Sequence, residues 1–98
     1  MAVTEVKSLN EAITLSNSSS FGVSAGIFTQ IEAEQEQFFD QIQAGTAFCN
    51  HRIGATSGIR PGAQSLGSWK GSGAGGKNSL GPYFVTQFMR EQSRTVCW

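Results

Sequence analysis

The sequence predicts an α/β fold built around a strand–helix–strand unit, and three observations predict it. Residues 23–29 (VSAGIFT) and 46–50 (TAFCN) are short, apolar and of strand length. Between them, Ile31, Gln35, Phe38, Phe39 and Ile42 keep helical spacing. The unit over residues 23–50 has the length of a crossover joining two parallel strands. A long Gly-rich loop over 51–81 and a terminal strand over 94–98 complete the expected architecture.

Taken in order, residues 2–6 (AVTEV) alternate apolar and polar, as a half-buried strand does. Ser8, Leu9, Asn10 and Glu11 fit a capping box, so a short helix should follow with Leu9, Ala12 and Ile13 facing inward. Residues 17–20 (NSSS) end it, because their side chains compete for backbone hydrogen bonds, and Phe21-Gly22 marks a turn. After the strand over 23–29, Thr29 should cap the second helix. Glu32 completes the box, Glu32, Glu34 and Glu36 favour the positive end of the dipole, and Gly45 closes the helix. The strand over 46–50 follows. Periodicity then vanishes until Pro82, where a helix with Phe84, Val85, Phe88 and Met89 on one side should begin. Residues 94–98 (RTVCW) read as a terminal strand whose open edges need a partner.

Composition narrows the function. A chain of 98 residues is one small domain at most, too small for a complete nucleotide-dependent enzyme. Nine of its twelve glycines fall within residues 51–81, so that half cannot build a core alone. Net charge is zero but uneven: residues 1–50 hold six acids against Lys7, and residues 51–98 hold six bases against Glu91. The bases are scattered, with no interleaved aromatic stripe, which argues against nucleic-acid binding. No apolar run has bilayer length and no signal-peptide pattern opens the chain, so a cytoplasmic protein without membrane contact is expected. Cys49 and Cys97, with His51 as the only histidine, fall short of a zinc set or a disulfide scaffold, and both read as buried structural thiols.

Residues 71–78 (GSGAGGKN) match the G-x-G-x-x-G spacing and nearly match a phosphate-binding P-loop. Their context disagrees. Residues 64–70 (QSLGSWK) are no buried strand, Asn78 lacks the magnesium-binding hydroxyl, and Gly81-Pro82 prevents a helix from starting where phosphate binding needs one. The glycines therefore read as a turn, and a small nucleotide-binding domain is the least favoured of three readings.

The order EAITLSNSSSFGVSAGIFT (11–29), QIQAGTAFCN (41–50) and SLGSWKGSG (65–73) resembles the last part of an aldehyde dehydrogenase, where the segments run as EAI-x-LAN-x-x-x-FGL-x-A-x-(V/I)FT, a strand ending in Asn, and PFGG-x-K-x-SG. The resemblance covers essentially the whole chain. HRIGATSGIRPGAQSLGSWKGSG and GPYFVTQFMREQSRTV are similar to the L-glutamate γ-semialdehyde dehydrogenase branch, also called 1-pyrroline-5-carboxylate dehydrogenase. Members of that branch oxidise the aldehyde to glutamate with NAD in proline breakdown, through a cysteine thiohemiacetal, hydride transfer and thioester hydrolysis.

The resemblance implies a substrate site at Gly58, Ile59 and Leu66. The family's loop T-G-(A/S)-x-x-G-x-Q-P-F falls on residues 57–66, so the backbone N–H groups of Gly58 and Ile59 would meet the substrate carboxylate. Leu66 stands where the family has an aromatic-wall phenylalanine, Ser65 where it has proline, and Ser68 where PFGG has its second glycine. Neither Cys49 nor Cys97 falls at the nucleophile's place, and the cofactor domain lies upstream of anything matched. Residues 1–98 are thus expected to be a C-terminal piece of the catalytic and oligomerisation region, inactive alone and binding no NAD by itself. Its expected partner is a second copy or a full-length relative. The alternative is a non-catalytic interaction module that associates through its terminal strand.

Overall fold

The computed structural model describes residues 1–52, 64–73 and 81–98. The first helix, α1, spans Leu9–Asn17, and its start is the expected one: the Ser8 hydroxyl accepts from the Glu11 N–H. Glu11 reaches back to the Lys7 N–H at 2.8 Å, one residue earlier than the ideal box, which satisfies a donor just outside the helix. Two short strands follow, β1 (Phe21–Gly22) and β2 (Ser24–Ile27). Helix α2 spans Glu32–Gln41, and β3 spans Thr46–Cys49. β2 and β3 pair in parallel, Ser24 opposite Thr46 through Ile27 opposite Cys49, so the strand–helix–strand unit forms as the sequence predicts.

The core lies where α1 and α2 cover one face of this pair. Ile13, Phe38, Ile42 and Ala44 are buried, with Leu9, Ala25, Ile27 and Ala47 packed against them. Burying Ile13 and Phe38 contributes about 1.5–3 kcal/mol each. Asn17 ties the layers together: its Nδ2 donates to the Gln41 carbonyl and its Oδ1 accepts from the Gln43 N–H, both at 2.8 Å. One amide side chain thereby does the work of a strand partner for the chain leaving α2.

Several expectations are corrected. Residues 2–6 form no strand, because no described strand lies beside them to complete a ladder, and Val3 is exposed. Phe21-Gly22 is not a turn but strand β1, antiparallel to β4 (Trp69–Lys70). Helix α2 begins later than a Thr29 cap would set it: Ile31 is the N-cap residue and offers no side-chain bond. The Thr29 hydroxyl instead accepts from the Ile31 N–H and donates to Glu34, and the Thr29 N–H that Glu32 was expected to meet goes to Asn50 Oδ1. Nor does Gly45 cap α2, which ends at Gln41 with Ile42 extended; the Gly45 N–H bonds the Gly22 carbonyl.

The C-terminal expectations fare similarly. After Pro82 there is only a turn and a 3-10 helix at Thr86–Phe88, because the apolar stripe packs into no core among the described residues: Val85, Phe88 and Met89 stay largely exposed, and Phe88 meets only the edge of Phe84. A helix that short is marginal in water without a packed face. Residues 94–98 pair with no described strand and are exposed throughout, Cys97 included, so Cys97 is not a buried thiol; Cys49 is half-buried.

Candidate functional site

Ligands of open α/β sheets sit beyond the carboxyl ends of the strands. Here that end is stitched shut on one side. The Asn50 N–H donates to the Ile27 carbonyl at 2.8 Å, extending the β2–β3 ladder by one rung. Asn50 then turns into the left-handed region, φ 55°, which asparagine tolerates better than most residues. Its side chain accepts from the Thr29 N–H at 3.0 Å and donates to the Thr29 carbonyl at 2.9 Å, while Gln35 Nε2 donates to the same carbonyl at 3.2 Å. The strand end, the start of α2 and the exit of the chain toward His51 are thus held as one piece.

On the face opposite Ala47, strand alternation places Thr46 and Phe48. The Phe48 ring lies where a side chain at residue 26 would stand, so only glycine fits at Gly26. His51 packs edge-on against Phe48, with ring centroids 5.8 Å apart. Two buried polar atoms here have no hydrogen-bond partner, Thr46 Oγ1 and His51 Nε2. Sequence reasoning weighed His51 only as a missing zinc ligand. The signal that could have found it is its place as the only histidine, immediately after a strand-ending asparagine.

The candidate wall follows residue 64. Leu66 is half-buried in a segment pinned at one point by two glycines: a side chain on Gly45 would run into the Gly67 carbonyl and one on Gly67 into the Gly45 carbonyl. Such backbone-to-backbone contact is open only to glycine. Beyond the crossing, Trp69–Lys70 pairs with Phe21–Gly22, and the Lys70 Nζ donates to the carbonyls of Asn17 at 2.7 Å and Ser19 at 3.0 Å. Helix α1 has no basic residue in its last turn, so Lys70 supplies the cation that its negative end favours. The Ser72 hydroxyl accepts from the Gly22 N–H at 2.9 Å. Gly58 and Ile59 lie outside the described residues.

The glycine-rich stretch starts inside this wall. Its first N–H groups are spent within the fold, Gly71 on the Ser20 carbonyl at 2.9 Å and Ser72 on the Trp69 carbonyl at 3.1 Å. They are unavailable to a phosphate, and residues 74–78 lie outside the described part. An open cleft of about 480 Å³ between α1, β2 and α2 is walled by Phe21, Val23 and Phe38 among others, with no charged side chain. Among the described residues no group of three metal-ligating side chains assembles. Within them, no helix is long and apolar enough to cross a membrane.

Residues 1–94 match the model of the aldehyde dehydrogenase family. The chain belongs to that family. It is 38% identical over 85 residues to an aldehyde dehydrogenase of Paenarthrobacter nicotinovorans, covering 87% of this chain and 17% of that protein. It is 35% identical over 80 residues to the betaine aldehyde dehydrogenase of Rhizobium etli, covering 82% of this chain and 15% of that one. A 43% identity over 42 residues links it to succinate-semialdehyde dehydrogenase [NADP(+)] 1 of Mycobacterium ulcerans, covering 43% of this chain and 9% of that protein. The chain therefore spans about a sixth of the length of the first two relatives. No solved structure matches it.

Proposed function

We propose that this aldehyde dehydrogenase chain supplies one wall of an aldehyde-oxidising site. In this reading it works beside a nucleophilic cysteine and an NAD-binding fold that the described residues do not contain, and residues 1–98 act as one unit. The substrate is L-glutamate γ-semialdehyde, oxidised to glutamate in proline degradation. Leu66 lines the aliphatic part of the substrate, and the N–H groups of Gly58 and Ile59 hold its carboxylate. Family membership supports the class of reaction. The observation that carries the wall is the Gly45–Gly67 crossing, which fixes the backbone one residue from Leu66. NAD, when bound in the family's full site, accepts the hydride; the residues of this chain bind and orient the aldehyde.

The test is enzymatic. The purified chain given NAD and L-glutamate γ-semialdehyde should form no NADH. Co-purified with a polypeptide carrying the nucleophile and cofactor-binding portions of an aldehyde dehydrogenase, it should form NADH, with a lower KM for Leu66→Phe. Steady NADH formation by the chain alone, or none by the pair, would overturn the reading.

A second reading is an interaction module acting through residues 94–98. The exposure of every residue from 82 to 98 favours it. Their backbone groups would complete a ladder with a second copy or a full-length relative.

A further inference from the structure

His51 Nε2 is buried and has no hydrogen-bond partner. Leaving such a group unpaired carries its full desolvation penalty. The cost is conspicuous beside Asn50, whose backbone N–H and both side-chain polar atoms are bonded. Asn50 fixes the backbone from which His51 departs, and the edge contact with Phe48 helps to fix its ring. The orphan nitrogen is thus held in place rather than left over from a loose loop. It also sits just past the carboxyl end of β3, where a parallel pair takes ligands.

The surroundings choose the kind of atom it would meet. From residue 41 to residue 90 the sequence contains no acid and five bases, Arg52 among them. The carboxylate tied most directly to this strand end is Glu34, and it is taken by the Thr29 hydroxyl. Among the described residues no carboxylate bonds the imidazole, and Arg52, next in the chain, favours an anion. We propose that His51 is a substrate-contacting residue whose Nε2–H donates to a carboxylate oxygen of the ligand.

The inference rests on the proposed aldehyde site and adds a residue to it. The test needs neither NAD nor turnover: the imidazole nitrogens of the chain are followed by NMR while sodium glutarate is added, with 1,5-pentanediol as a control of equal carbon length without carboxylates. Glutarate should shift the His51 Nε2 resonance to saturation, and the diol should leave it in place. His51→Phe, which keeps the contact with Phe48, should weaken glutarate binding at least about tenfold. His51→Gln, which keeps a donor, should stay within about threefold. An unmoved His51 resonance, glutarate binding unchanged in His51→Phe, or an equal response to the diol overturns the proposal. NADH formation by the complemented pair reports separately on the aldehyde site, so the two ideas can fail independently.

Discussion

Lys70 pairs a backbone cost with a side-chain gain. Its φ of 53° lies in the left-handed region, which costs a non-glycine residue about 1–2 kcal/mol. Two hydrogen bonds from its ammonium to the end of α1 offset that cost. Lys70→Met should keep the strain and lose the bonds, lowering stability by about 1–2 kcal/mol. Lys70→Gly loses the same bonds but relieves the backbone, so it should destabilise less. Urea unfolding of the two variants checks the order, and a glycine variant no more stable than the methionine one would show that the backbone carries no strain.

At the scale of elements, α1 rests on a cap the sequence announces, and Ser8→Ala should cost about 1 kcal/mol, read as a lower urea midpoint. A midpoint equal to that of the parent chain would mean that the Lys7–Glu11 bond alone holds the start of the helix. The same locality explains what was legible in the sequence. Ser8 and Glu11 lie within one turn of each other, and the spacing of Phe38 and Ile42 holds within one helix, so α1, α2 and the parallel β2–β3 pair could be foreseen. β1 could not, because Phe21–Gly22 becomes a strand only by meeting Trp69–Lys70 far along the chain. The start of α2 was misplaced for a similar reason: Thr29 has its backbone bonded by Asn50, a partner that spacing within the helix cannot announce. The stripe after Pro82 had helical spacing yet gained no helix, since spacing does not supply the surface it must bury against. Of the candidate site, Leu66 is a proposal that rests on motif order, while His51 carries no sequence signal for its burial and empty bonding, which depend on the fold around it.

At the scale of the molecule, the radius of gyration is 17.9 Å, against about 13 Å for a compact domain of this length. Large apolar side chains stay exposed at Phe28, Ile31, Phe39, Trp69, Val85, Phe88, Met89, Val96 and Trp98. Surface of this kind favours association. Sedimentation velocity should therefore find the chain as a dimer or larger species, shifting toward monomer when residues 94–98 are removed. A single monomeric boundary at every concentration would count against association, and an unchanged assembly after truncation would place the contact elsewhere.

The meeting of Gly45 and Gly67 has a consequence for inheritance as well as for packing. It closes the stretch between them into a ring without a covalent bond, with both ends anchored in the α/β unit and its companion ladder. Changes of length inside such a ring are cheap, about 0.6 kcal/mol for each doubling of a flexible loop. Residues between Asn50 and Gly67 can then differ in length between relatives while β3, the Asn50 clamp and the frame around them stay the same.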